Sequence, residues 1–495
     1  MSPILILVIV LAYFLLLVGV SFLSGKSDDN DAFFLGNRQS PWYVVAFGMV
    51  GASLSGVTFI SVPGWVADSQ FGYMQVVLGY VVGYIVIIKV LLPLYYKMQL
   101  TSIYSYLDSR FGPSSYKTGS FFFLLSRIIG AAFRLYLVAI VLQIAVFDQM
   151  EIPFWVTVMV TILLIWIYTA RNGIKTIIWT DTLQTTFMLA AVILTVIIIK
   201  RQVFPETGIV DYVSNSEMSK IFFFENWKSG DHFWKQFLSG IFITIVMTGL
   251  DQDMMQKNLS CRNLKDAQKN MFWLSIVLVF VNLIFLSLGV LLYDYAEINN
   301  ISFDSADALF ANVALTGELG MGVAIFFIIG LIAAAYSSSD SALTALTTSF
   351  CVDILGVQKK KASESKRLRK LVHIGFSLVL FVVIIIFRYL VEESVIKELF
   401  VAAGYTYGPL LGLYAFGLFT KLKVRDRLVP IVAILAPILS YILKDHSVAW
   451  FNYEFTFEHL VINGILTFIG LLIISKKDLG DDSEGAVLDS DLDWK

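Results

Sequence analysis

Two stretches of this chain carry small and hydroxyl side chains where a lipid-facing helix would carry leucine. The first is Gly51-Ala52-Ser53-Leu54-Ser55-Gly56-Val57-Thr58, followed by Pro63. Glycines weaken a helix, and unwound backbone within an apolar segment is tolerated only where it lines a cavity or is buried in protein. A break there frees carbonyls suited to a hard monovalent cation and gives a half-helix N-terminus suited to an anion. The competing reading is a close-packing seam of small residues. The second stretch is Ala334-Ala335-Tyr336-Ser337-Ser338-Ser339-Asp340-Ser341, where positions 334, 337, 338 and 341 share one helical face. That stripe can pack tightly or ligate a cation through oxygen. Asp340 beside it costs about 2.5 kcal/mol or more at mid-membrane, so a functional role is the default expectation.

Other ionisable groups lie in similarly apolar surroundings. Asp181 follows Ile177-Ile178-Trp179-Thr180; it is either a dipole-favoured carboxylate in a first helical turn or, with Asp340, part of an ion exit route. Arg127 and Arg134 share one apolar run. Counting about 1.5 Å per residue from Lys117 puts Arg134 near the midplane, beyond snorkelling reach, so it must face an intramembrane Asp or a solute carboxylate. Lys89 is close enough to Lys97 to snorkel. Thr244, Thr248, Gly249, Asp251, Gln252 and Asp253, and Gly404-Tyr405-Thr406-Tyr407-Gly408-Pro409, are further polar, breakable elements.

The elements that must hold these residues follow from composition. The chain has 495 residues, of which 57% are hydrophobic and 15% charged, and a mean hydropathy of +0.77. Soluble domains carry about 25% charged residues, so a soluble protein, a disordered chain and a disulfide scaffold are all excluded. The formal net charge of −2 gives no basic footprint for nucleic acid. Apolar runs long enough to span a bilayer recur at 4–23, 42–63, 73–96, 118–147, 153–170, 177–199, 235–256, 270–293, 319–352, 370–391, 396–419, 427–443 and 459–475. The expectation is an all-α integral membrane protein of thirteen transmembrane helices. The first run lacks a basic n-region and is read as a retained helix rather than a signal peptide.

Thirteen spans place the termini on opposite sides. With the loop after the first helix cytoplasmic, alternate segments collect most of the Lys and Arg, including Lys257, Arg262, Lys265, Lys269 and the run from Lys359 to Lys370, which reads as a solvated loop. The opposite segments hold only Lys200, Arg201, Lys220, Lys228, Lys235, Arg388, Lys397 and Lys444. The positive-inside rule then sets the amino terminus outside and the carboxyl terminus in the cytoplasm. Cys261 and Cys351 fall beside basic cytoplasmic loops, which argues against a disulfide, and nothing resembles a Cys/His metal cluster. The acidic segment 477–495 reads as a disordered tail.

On these residues the chain resembles the sodium/solute symporter family over nearly its whole length. The marks are Thr58-Phe59-Ile60-Ser61-Val62-Pro63-Gly64, Leu100-Thr101-Ser102-Ile103-Tyr104-Ser105-Tyr106-Leu107, Ile178-Trp179-Thr180-Asp181, and Ala333-Ala334-Ala335 leading into Ser337-Ser338. The resemblance implies a LeuT-type fold: inverted repeats of five plus five helices at 42–200 and 235–420, joined by an extracellular loop at 201–234. One extra helix lies within 1–41, and two more within 421–476. It implies a sodium site at Gly51, Leu54, Ala334, Ser337 and Ser338. A second cation site, found in some relatives, maps to Asp181, Ser337, Asp340 and Ser341. Asp340 departs from the serine of sialic-acid transporters, which leaves sodium, a proton or an arginine partner open there. Solute recognition maps to Ser53, Ser55, Thr58, Gln75, Arg134, Thr244, Thr248 and Tyr405, with Tyr405 and Tyr407 as gates.

The function expected is sodium-coupled symport of a small organic solute, a sugar or a carboxylated sugar such as sialic acid, by alternating access in the plasma (inner) membrane, by a monomer in lipid. A proton- or mixed-cation-coupled transporter of another small anion or vitamin is the alternative. A channel would need a repeated selectivity ring, and an enzyme or sensor a motif such as HExxH or GxSxG or a cytoplasmic domain; the chain carries none of these. No cofactor beyond the coupling sodium is expected.

Overall fold

The computed structural model describes residues 3–23, 30–169, 173–315, 319–390, 395–453 and 455–476. The acidic tail expected at 477–495 lies outside them. The principal helices are α1 (Pro3–Leu23), α2 (Trp42–Gly64), α3 (Tyr73–Lys97), α4 (Pro113–Leu142), α5 (Phe154–Thr169), α6 (Ile174–Val203) and α7 (Phe233–Gly249). They continue as α8 (Gln252–Leu259), α9 (Leu264–Ile298), α10 (Met321–Ile354), α11 (Ala362–Leu390), α12 (Val395–Phe419), α13 (Val429–Asp445) and α14 (His459–Ile473).

Among the described residues ten of these helices are long and apolar enough to cross a bilayer, and eleven if α7 and α8, bent by 63° at Leu250–Asp251, form one span. The expected thirteen is reached only if α5 and α14 cross as well. With 16 and 15 residues, they are about 24 and about 23 Å long against a hydrocarbon core of about 30 Å.

Burial separates the helices that build the interior from those that meet lipid. In α2, 89% of the apolar window is buried, and in α10 and α12 72%; in α11 and α13 the share is 22%. The outer helices present Leu378, Val382 and Ile386 on α11 and Ile434 and Ile438 on α13, an apolar surface that only a lipid solvent accepts at this extent. Inside, α10 packs along α6 and α2, α7 along α3, and α12 along α14. A two-stranded antiparallel ribbon, Lys423–Val424 on Ser475–Lys476, ties the start of α13 to the end of α14.

Two of the charges counted above as loop cations are buried instead. Arg369 is 1% exposed with its guanidinium 4.4 Å from the Phe33 ring centre, because α11 begins at Ala362 and takes most of the 359–370 run into a helix rather than a solvated loop. Lys257 lies on α8 and is likewise 1% exposed. Cys261 and Cys351 are free thiols, both buried.

Candidate functional site

The hydroxyl-rich stretch of α2 contains the break. Ser55 has φ 57° and ψ 174°, a conformation unavailable inside an α-helix, and it is buried. A left-handed residue with a side chain is costly and persists where the surroundings hold it, which is common at ligand sites. The break opens onto a cavity that is partly open to solvent. Its wall includes Ser53, Ser55 and Thr58 of α2, Arg134 of α4, and Thr244 and Thr248 of α7.

Two expected solute residues do not line this cavity. Gln75 uses its amide structurally: its Nε2 donates to the Asp231 carbonyl at 2.9 Å and its Oε1 accepts from Phe223 N–H at 3.1 Å, so it clamps the long loop before α7. Tyr405 points away toward α13 and α14, with its ring 4.9 Å from His459 and 6.0 Å from Tyr441. Tyr407, two residues on and on the opposite side of α12, faces inward and donates to the Asp251 carboxylate.

The two arginines of α4 divide the roles left open above. Arg127 pairs with Asp253 through Nη2, lies 3.9 Å from Asp251 through Nη1, and donates to the Ser338 carbonyl at 3.4 Å. Asp251 also caps α8, accepting from the N–H groups of Asp253 and Met254 at 2.9 and 3.3 Å. Arg134, only 6% exposed, has no carboxylate within ion-pair distance among the described residues, and its Nε and Nη1 find no hydrogen-bond partner. A buried guanidinium with free donors on a cavity wall is matched by a carboxylate, which its planar fork binds through paired hydrogen bonds.

The five residues of the expected sodium site lie on α2 and α10, which meet at this level. A Cβ on Gly56 would sit 3.7 Å from the backbone of Ala335. Ser337 Oγ is buried and has no hydrogen-bond partner, and Ser338 Oγ donates to the Ala334 carbonyl at 3.3 Å, near the limit of a useful bond. Gly51 and Leu54 belong to the half of α2 that precedes the break. The N–H of Gly51 donates to Thr185 Oγ1 at 3.1 Å, and a Cβ on Gly51 would lie 2.2 Å from that oxygen, so glycine is needed here for close packing on α6 too. The cation and seam readings of this stretch are therefore compatible. Hard oxygen donors from two helices, one of them broken, are the donor set a sodium ion takes.

The second group, Asp181, Ser337, Asp340 and Ser341, is arranged differently from the expectation. The ammonium of Lys257 lies 2.7 Å from Asp181 Oδ2 and donates to Ser341 Oγ at 3.0 Å, with both charged side chains 1% exposed. Asp340 Oδ1 accepts the N–H of Ser341 at 2.6 Å.

The profile of the sodium:solute symporter family matches residues 33–425, most of the chain. The chain belongs to the sodium:solute symporter family. It is a secondary transporter, not an enzyme, and sodium is its coupling ion. Among relatives, the sodium/sialic acid symporter NanT of Aliivibrio fischeri is 27% identical over 444 residues, covering 85% of this chain and 84% of that protein. The sodium/sialic acid symporter SiaT of Proteus mirabilis is 26% identical over 449 residues, covering 85% and 86%. A solved structure of a sodium-coupled sialic acid symporter, substrate-bound and outward-open, superposes with a TM-score of 0.80 at 22% identity, covering 95% of this chain and 98% of that one. That likeness establishes a shared transporter fold.

Within this family frame, three functional contacts escaped the sequence reading. They are the pairing of Arg127 to Asp251, its pairing to Asp253, and the contact of Lys257 with Asp181 between α6 and α10; Tyr407, expected as a gate, is the inward tyrosine of the two. The available signal was the spacing of Asp253 and Lys257, which lie four apart and so on one face of α8, continuing an apolar span. A charge pair at the end of such a span reads equally well as the start of a loop.

Proposed function

We propose that this symporter imports a carboxylated sugar of the sialic acid type, with Arg134 as the cation that receives the carboxylate. The observation carrying the reading is Arg134 itself: a buried guanidinium on the cavity wall whose Nε and Nη1 have no partner, while its neighbour Arg127 is paired. Ser53, Ser55, Thr58, Thr244 and Thr248 supply hydroxyls for the solute's own hydroxyl groups. Sodium is held by the carbonyls of Gly51, Leu54 and Ala334 and the hydroxyls of Ser337 and Ser338. In this position it ties α2 to α10 and favours the state in which the cavity faces outside; its release to the cytoplasm lets the helices part. The named solutes of the two relatives above support the same substrate class.

The architecture proposed with this mechanism has thirteen spans, counting α5, α14 and the bent α7–α8 pair. Residues 42–200 and 235–420 form the inverted repeats, with one helix before and two after. The amino terminus is outside and the carboxyl terminus cytoplasmic, in the plasma membrane, and a monomer is the working unit.

The test is uptake into proteoliposomes under an inward sodium gradient, comparing sialic acid with a neutral sugar. Saturable, sodium-dependent uptake of the acid, competed by other sugar carboxylates and not by the neutral sugar, is expected. Equal uptake of the neutral sugar would overturn the role given to Arg134.

A further inference from the structure

Asp181 sits where the resemblance maps a second cation, yet both of its carboxylate oxygens are already engaged. Lys257 Nζ lies 2.7 Å from Oδ2. Gln184, in the amide orientation that satisfies its neighbours, donates to Oδ1 at 3.2 Å. The same ammonium takes Ser341 Oγ at 3.0 Å, and the Ser341 hydroxyl in turn donates to the Ser337 carbonyl at 2.6 Å. We infer that the ammonium of Lys257 is the resident cation at this second position, so the transporter binds sodium only between α2 and α10.

The chemistry excludes sharing. A sodium ion needs oxygen lone pairs, whereas an ammonium offers three donors and no acceptor, so Lys257 cannot join a sodium coordination shell. It also consumes the negative charge that would attract one. Two cations beside the Asp181 carboxylate repel in a poorly screened interior, and the tethered one cannot diffuse away. Mechanically the ammonium does what an ion would do there. Asp181 lies in the first proposed repeat, and Lys257 and Ser341 lie in the second, so the contact spans the two. The lysine stands on α8, whose Asp253, four residues earlier, holds Arg127 of α4. One short helix therefore fastens α4 and α6 through two ion pairs and α10 through the Lys257–Ser341 hydrogen bond.

The inference rests on the sodium-coupled reading and sharpens its stoichiometry. It is tested by equilibrium binding of radioactive sodium to the purified full-length protein. Wild type is expected to bind about one sodium ion per chain, Lys257→Ala about two, and Lys257→Ala/Asp181→Asn about one again. In the single variant Asp181→Asn, with Lys257 present, sodium binding should stay at about one per chain with half-saturation changed by less than about twofold. The wild-type count and that of Lys257→Ala/Asp181→Asn, which leaves no unpaired charge of this pair, carry the test if the single variants do not fold. About two sodium ions bound by wild type, one of them lost in Asp181→Asn, would overturn the inference; so would a folded Lys257→Ala that gains none. Wild type binding no sodium while Lys257→Ala gains one would instead refute the α2–α10 site and leave Lys257 as assigned.

Discussion

Arg127 and Asp253 form a buried ion pair between α4 and the short helix α8, and the same guanidinium reaches the carbonyl of Ser338 on α10. The pair sits beside the cavity that holds Arg134 and touches a helix expected to ligate sodium, so it links the cavity wall to the proposed ion site through one side chain. Removing Arg127 leaves Asp253 uncompensated away from water, and removing Asp253 leaves Arg127 only the more distant Asp251, 3.9 Å away. Arg127→Gln and Asp253→Asn should each lower stability by about 3–5 kcal/mol, read as a fall in thermal unfolding temperature of the purified protein. Arg127→Gln/Asp253→Asn, which removes both charges, should recover part of that loss. If the single variants melt with wild type, the pair does not hold the helices together.

Arg134 should behave in the opposite way. It makes no ion pair among the described residues, so Arg134→Gln is expected to leave the melting temperature nearly unchanged in the absence of solute. A charge-assisted bond to a carboxylate lost from a buried site is worth about 1.5–3 kcal/mol, which corresponds to an affinity loss of about tenfold to a hundredfold for an anionic substrate. Uptake at graded substrate concentration separates the outcomes. A collapse of stability with no selective loss of anion affinity would return Arg134 to a structural role.

Gly51 offers a test of the packing reading alone. A Cβ there would lie 2.2 Å from Thr185 Oγ1 and 3.3 Å from the Thr185 Cα, so Gly51→Ala forces α2 away from α6. Overpacking of this kind costs about 1–3 kcal/mol. Adding Thr185→Ala removes the closest clash and should restore part of the stability, as measured by thermal denaturation. No rescue in the double variant would mean that the backbone of α6, not the threonine hydroxyl, sets the approach.

The cavity was legible because hydroxyls and glycines in an apolar span have few uses, and the break at Ser55 falls inside the stretch that they mark. Arg134 was legible by depth, since an arginine far from either interface must be answered by an anion. Lys257 was not: it follows the polar residues Asp251, Gln252, Asp253 and Gln256, and a count of loop cations absorbs a lysine there without conflict. Only the 63° bend between α7 and α8, a tertiary feature, carries it back beneath Asp181. Gln75 and Tyr405 were misplaced for a related reason. Helical periodicity gives a residue's face but not which neighbour that face meets, and the partners of these two, Asp231 and His459, are far away in sequence.

The proposed sodium site makes a prediction in which stability and ion binding move in opposite directions. Ser337 Oγ is buried without a hydrogen-bond partner, so in sodium-free protein it contributes a desolvation cost of about 1–3 kcal/mol with nothing in return. Ser337→Ala should therefore be neutral or stabilising when sodium is absent. Ser338→Ala should also cost little there, since its Oγ makes only a 3.3 Å bond to the Ala334 carbonyl. With sodium present the order reverses. Each hydroxyl is a proposed ligand that a methyl cannot replace, and its loss should raise the half-saturating sodium concentration by about tenfold or more, equivalent to about 1.4 kcal/mol. Wild type then gains thermal stability on adding sodium while the two variants gain less. Ser339→Ala is the control: its Oγ makes the same kind of helix-internal bond, at 2.8 Å to the Ala335 carbonyl, but lies off the face shared by 334, 337 and 338. It should respond to sodium as wild type does. Identical sodium-dependent shifts in wild type and all three variants would remove these hydroxyls from the ion site and leave the stripe as a packing surface for α2 and α6.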